Sequence, residues 1–289
     1  MTEPVLTIGD LERLSDGTAW SEGPVWLAET QSVRWSDIPN NRILEWDSIS
    51  GETGVFRDDA EFTNGRTLDT QGLVVQCSHG RRAIERETPE GPETVVDRWA
   101  GGRFNSPNDL VVASDGSIWF TDPPYGLHPS GHEGRPGEQE YDGCYVFRWD
   151  PTTNEAIPVV TDMVHPNGLA FSPDESVLYV SDTGFYGDHP EAKHILRFDL
   201  DGTHRPGPSA VFAVVPHGAA DGFTVDEAGR VWTSAGDGVY VYAPSGELLA
   251  HIPVPETVSN VCFGEGVLYI TAASGLYRVR TALSVINGG

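Results

Sequence analysis

The sequence predicts an all-β protein, a six-bladed β-propeller of four-stranded blades whose N-terminal strand closes the last blade. Short apolar or alternating segments are broken throughout by Gly, Pro, Asp and Asn, with almost no helical spacing. One unit recurs: a polar anchor residue, usually followed by Gly, then an apolar strand, a tight turn and a second strand containing an aromatic. Its repeat length of roughly 40 to 50 residues is that of a propeller blade.

The unit reads E-G-P-V-W-L-A-E-T-Q-S-V-R-W-S-D at 22–37, N-G-R-T-L-D-T-Q-G-L-V-V-Q-C at 64–77 and N-D-L-V-V-A-S-D-G-S-I-W-F-T-D at 108–122. It returns as N-G-L-A-F-S-P-D-E-S-V-L-Y-V-S-D at 167–182 and D-G-F-T-V-D-E-A-G-R-V-W-T-S at 221–234, with a weaker sixth copy, N-V-C-F-G-E-G-V-L-Y-I-T-A, at 260–272. The anchors Glu22, Asn64, Asn108, Asn167, Asp221 and Asn260 are 42, 44, 59, 54 and 39 residues apart. Two further strands complete each unit, as in C-Y-V-F-R-W-D at 144–150, so six blades fill residues 1–289 as one domain. The segment before Glu22 supplies the outer strand of the last blade and leaves no long edge unpaired.

Asn-Gly is a strong hairpin signal, yet Asn167-Gly168 opens a strand. The repeat explains this: the first strand of a blade lies nearest the central axis, where Gly leaves room, and the hairpin falls at S-P-D-E, on the far face. The six anchors are therefore expected at one mouth of the channel. The two long spacings place extra residues at 122–143 and 182–194, after second strands, where Tyr125, Phe185 and Tyr186 would overhang that mouth as a functional rim.

Composition narrows the chemistry. A formal charge of −25 argues against nucleic acid and against an anionic membrane surface as partners. Lys193 is the only lysine, which disfavours Schiff-base and P-loop mechanisms. No run approaches the roughly 18 apolar residues of a membrane span, and the start lacks the order of a signal peptide, so a cytoplasmic location is expected. Cys77, Cys144 and Cys262 are odd in number and widely spaced, which predicts free, buried thiols.

Glu22, Asn108, Asn167 and Asp221 offer only oxygen donors, the set preferred by a hard divalent cation; Ca2+ is the first candidate, with Zn2+, Mg2+ or Mn2+ as alternatives. Such an ion could polarise an ester or lactone carbonyl and acidify a water, with Asp221 acting as both ligand and general base and Glu22 balancing charge. His165 and His79 could assist proton transfer, or be ordinary core or solvated histidines. Asp37, Asp122 and Asp182 end equivalent second strands and either support the site or cap turns. No G-x-S-x-G elbow marks a nucleophilic serine.

The segments E-G-P-V-W, N-S-P-N-D-L-V-V with T-D-P-P-Y-G, P-N-G-L-A-F-S-P-D with L-Y-V-S-D-T, and D-G-F-T-V-D-E-A-G-R-V-W together resemble the SMP-30/gluconolactonase/luciferin-regenerating-enzyme family, most closely its bacterial gluconolactonase-like branch. The resemblance implies a six-bladed propeller with one catalytic divalent metal that hydrolyses sugar lactones to aldonic acids. It implies Glu22, Asn167 and Asp221 as metal ligands, Asp221 as acid/base, and Asn108 as a further ligand or a substrate contact. Animal members carry an Arg just ahead of the third-blade Asn; here Ser106 stands two residues before it and Arg103 further back. Arg103, Asp122, Tyr125 and Asn64 complete the candidate substrate contacts. Rival readings are a metal-dependent hydrolase of another lactone, ester or phosphotriester, and a non-enzymatic binding propeller. The oligomeric state is left open.

Overall fold

Strands of about six residues rich in β-branched and aromatic side chains, separated by turn formers, can bury their surface only by pairing with near neighbours and stacking sheet on sheet. In the computed structural model, which describes residues 5–184 and 189–284, they form six four-stranded antiparallel sheets. The inner strands of blades one to six are Ser21–Leu27, Thr63–Leu68, Leu110–Val112, Pro166–Phe171, Phe223–Val225 and Val258–Gly264. Blade six is completed by Val5–Asp16, which pairs with Gly275–Ser284 as its outermost strand. Among the described residues, no helix is long and apolar enough to cross a membrane.

The core is divided between the blades. Blades one and six share Trp35, Trp46 and Tyr269; blades two and three share Phe104, Phe120 and Phe147; blades five and six share Trp232, Val261 and Ile270. Cys77 and Cys144 are buried and Cys262 is half-buried, all three free. A small ribbon absent from the sequence reading, Arg98–Trp99 paired with Gly102–Arg103, turns through Ala100 and Gly101 at φ 50° and 90°. Both central residues are left-handed, as the twist of a two-residue hairpin requires. It sets Trp99 edge-on to Tyr141, with ring centroids 5.3 Å apart.

At the axis, every blade is hydrogen-bonded to the next. Ser36 Oγ donates to the Asn64 carbonyl (3.1 Å), Gly65 N–H to the Asn108 carbonyl (2.8 Å) and Thr121 Oγ1 to the Asn167 carbonyl (2.6 Å). Ser181 Oγ donates to the Asp221 carbonyl (2.7 Å), Gly222 N–H to the Ser259 carbonyl (2.7 Å) and Ser259 Oγ to the Ser21 carbonyl (2.5 Å). In three blades a serine or threonine near the end of the second strand thus satisfies a carbonyl at the start of the next inner strand.

This ring corrects one expectation. In blade six the residue equivalent to the anchors is Ser259, so Asn260 occupies the next position, which is Gly23, Gly65, Gly168 and Gly222 in four other blades and Asp109 in blade three. Blades three and six face each other, and Asn260 Nδ2 donates to Asp109 Oδ2 across the axis at 3.2 Å. The glycines make that possible: a Cβ at Gly222 would lie 2.0 Å from Asn260 Cγ, and one at Gly168 2.3 Å from the Asp221 carbonyl oxygen. The Asp109–Asn260 pair therefore plugs the channel, and five anchors instead of six are left to face the mouth.

Candidate active site

A β-bulge sets the direction of the anchors in several blades. Between Pro166, opposite Asp182, and Leu169, opposite Val180, Asn167 and Gly168 face one residue; Asn64 and Gly65 repeat this between Thr63 and Arg66. An extra residue bends the strand and re-aims its side chain. In blades three and five, Asn108 and Asp221 lie two residues ahead of the ladder. All five side chains, Glu22, Asn64, Asn108, Asn167 and Asp221, line one cavity of about 550 Å³.

The loop ahead of three anchors is fastened by the aspartate that ends the second strand of its own blade. Asp37 accepts from Ala19 N–H (2.9 Å) and pairs with Arg42. Asp122 accepts from Asn105 and Ser106 N–H (2.7 and 2.8 Å) and from the Tyr141 hydroxyl. Asp182 accepts from Val164, His165 and Gly184 N–H (2.9, 3.0 and 3.0 Å). None of the three faces the cavity. Asp122 is thus a loop clamp, because its acceptor positions are filled by the chain itself.

The cavity is covered by the loop after the second strand of blade three, from which Pro124, Tyr125, His128, Ser130, His132 and Glu133 face inward. This is the overhang expected of residues 122–143. In the second expected overhang, Thr183 lines the cavity, while Phe185 and Tyr186 lie outside the described residues. Thr183 Oγ1 meets the Tyr125 hydroxyl at 2.6 Å, accepts from Asn167 Nδ2 at 3.1 Å and donates to the His165 carbonyl at 3.3 Å. With one Asn167 amide hydrogen held there, its Oδ1 is oriented as the acceptor of that side chain.

The electrostatics distinguish the two carboxylates. Burial, and then the negative charges of Asp221 and Asp109, hold the Glu22 carboxyl well above its ordinary range. Burial, and then Glu133 and Asp109, raise Asp221 likewise. Among the described residues neither forms an ion pair. A buried and a half-buried carboxylate pressing on each other without a cation, beside an amide oxygen of fixed orientation, fit a hard divalent ion. Asn108 supplies a fourth oxygen-bearing side chain in the same cavity.

Glu133 was not identified from the sequence. It sits in the loop without repeat equivalents, and its chain position gives no sign that it reaches the axis. Burial raises its pKa, and His132 and His128 oppose the shift. His165 lines the cavity, with its ring edge-on to Tyr125 at 5.4 Å, and burial lowers its pKa. His79 lies outside the cavity: burial lowers its pKa to about 4, and its neutral ring donates from Nδ1 to the Glu133 carbonyl at 2.8 Å. Arg103 also lies outside the cavity, donating from Nη2 to the Arg81 carbonyl at 2.6 Å, in a separate depression.

Comparisons with known proteins agree with this fold. The family model described as SMP-30/Gluconolactonase/LRE-like region matches residues 20–274. A gluconolactonase of Zymomonas mobilis is 33% identical over 299 residues, covering 94% of this chain and 81% of that protein. The pentonolactonase XacC of Haloferax volcanii is 30% identical, covering 88% and 81%. The solved structure of a gluconolactonase from Xanthomonas campestris superposes with a TM-score of 0.87 at 41% identity, covering 95% of this chain and 90% of that one.

Proposed function

Because the chain belongs to the SMP-30/gluconolactonase/LRE-like family, we propose that it is a metal-dependent lactonase that opens a sugar lactone to the aldonic acid. Lactone hydrolysis is supported by relatives that carry gluconolactonase and pentonolactonase activity in their names. The observation that carries the metal-dependent mechanism is the pair of uncompensated carboxylates, buried Glu22 and half-buried Asp221, in one cavity with Asn108 and Asn167.

Glu22, Asn167 and Asp221 would hold the ion, with Asn108 as fourth ligand or substrate contact; calcium is the first candidate. When bound, a divalent ion supplies charge to polarise the lactone carbonyl and to acidify water. Asp221 takes the proton of the attacking water as its oxygen bonds to the carbonyl carbon. As the ring C–O bond breaks, Asp221 returns that proton to the leaving ring oxygen, and the products are one carboxyl and one hydroxyl. Glu22 keeps its charge throughout and offsets that of the ion. Asn64 and the Tyr125 hydroxyl would bind sugar hydroxyls, while Trp20, Ile38 and Pro124 line the cavity with apolar surface.

The test is base uptake during opening of D-glucono-1,5-lactone, before and after EDTA, with metals added back singly. Loss on chelation and recovery with one ion is expected. Activity that survives chelation, or survives Asp221→Asn, overturns the mechanism.

A further inference from the structure

Behind the loop that covers the cavity lies a second depression of about 370 Å³, lined by Arg81, Arg82, Arg103, Arg135, His79 and Leu127 with a few small residues. It holds four guanidinium groups and no carboxylate in a chain that carries 43 acidic residues against 18 basic ones. The acids that pair with these arginines do not face the depression. Glu85 meets Arg81 at 3.1 Å, Glu140 meets Arg82 at 3.1 Å and Glu61 meets Arg135 at 2.8 Å. Each guanidinium carries five N–H donors; Arg82 also donates to the Phe104 and Arg103 carbonyls, and each of the three still has donors over. Arg103 has no carboxylate partner for its side chain among the described residues and uses Nη2 on the Arg81 carbonyl.

His79 lines the same depression, and its Nδ1 donates to the Glu133 carbonyl, tying this wall to the loop that covers the candidate active site. A phosphate oxyanion fits the arginines, because its unprotonated oxygens accept from forked guanidinium groups.

The walls come from three parts of the chain. Arg81, Arg82 and His79 belong to the turn after the second strand of blade two, and Arg103 to the ribbon before Asn108. Leu127 and Arg135 belong to the loop that carries His128, Ser130, His132 and Glu133 into the candidate active site. We propose that the depression binds a phosphate oxyanion, free or borne by a small sugar phosphate, and that the bound anion fastens this loop to blades two and three. The site is separate from the lactone cavity and does not depend on the lactonase reading.

Calorimetric titration of the full chain with inorganic phosphate, against potassium chloride at matched ionic strength, tests binding. Saturable binding is expected for phosphate only, weakened about fivefold or more by Arg103→Gln and by Arg135→Gln, since each removes charge-assisted donors. Arg135 is 59% exposed at its side chain, so that variant leaves the fold intact. Heats equal to the chloride control, or an unchanged Kd in both variants, overturn the site. Glucose 6-phosphate binding more tightly than phosphate identifies a sugar phosphate as the source, and equal binding identifies the free anion. Gluconate binding more tightly than either overturns phosphate as the recognised chemistry. Phosphate is also expected to slow amide hydrogen exchange across residues 127–137; unchanged exchange there overturns the fastening role.

Discussion

Two sets of carboxylates in this molecule have surroundings that could hardly differ more. Asp37, Asp122 and Asp182, at the ends of second strands, receive backbone N–H groups from the loops ahead of the anchors. Glu22 and Asp221, at the starts of inner strands, receive little: Gly23 N–H at 3.1 Å for Glu22, the Asn167 amide for Asp221, and otherwise the repulsion of other acids. Glu22 is as buried as Asp37, Asp122 and Asp182, so burial does not identify a site. What separates them is whether the chain supplies the donors, because a carboxylate whose lone pairs are already filled has nothing to offer a ligand.

The sharpest test of that division is Asp221→Asn. Its kcat for lactone opening is expected to fall by about 10²–10⁴, the range for removal of a general base. The metal-stripped variant is expected to melt at the same temperature as the stripped parent or higher, since the change relieves repulsion among Asp221, Glu133 and Asp109. A large loss of stability would place Asp221 with the structural carboxylates instead.

Asp182→Ala is expected to do the reverse. It leaves three N–H groups, of Val164, His165 and Gly184, without their acceptor, which costs about 2–4 kcal/mol, measurable by urea denaturation. If stability is untouched, the clamp role fails.

Titration sharpens the comparison further. Burial raises the carboxyls of Asp109 and Asp122 from 3.8 to about 7. The folded, metal-stripped protein then holds protons between about pH 4 and 7 that the unfolded chain has released, so these groups lower stability as pH rises through that window. Denaturant midpoints of the stripped protein should reflect this, with a flatter profile in Asp109→Asn; an identical slope in parent and variant would contradict it. The smallest effect expected is that of Ser181→Ala. It removes one hydroxyl from the ring of blade-to-blade hydrogen bonds, at the Asp221 carbonyl, and should cost about 1 kcal/mol in the same assay.

The anchors of the candidate site were legible because the repeat carries them. Glu22, Asn64, Asn108, Asn167 and Asp221 share a position in the unit, and equivalent positions in a propeller meet at one mouth whatever the residues between them. The sixth copy misled by one residue: Asn260 matches Asn64, Asn108 and Asn167 in type, but the hydrogen bonds of Ser259 take the anchor's place. A one-residue offset inside a bulge leaves the hydrophobic pattern almost unchanged, so the pattern does not register it. Arg103 was grouped with the substrate contacts through the resemblance to family members that carry an Arg ahead of the third-blade Asn, yet the Ala100-Gly101 turn and the Arg81 carbonyl hold it in the neighbouring depression.

The sequence by itself determined the all-β class, the six blades, the closing N-terminal strand and the face on which the polar anchors gather. Each follows from local periodicity, which is written in neighbouring residues. Only the tertiary structure decided what happens where nonlocal surfaces meet: Asp109 and Asn260 joining across the axis, Glu133 descending from its loop into the cavity, and four arginines converging behind that loop. Those residues lie in different blades or in loops without repeats, and their meeting depends on ring closure and on loop packing, which no periodic pattern along the chain encodes.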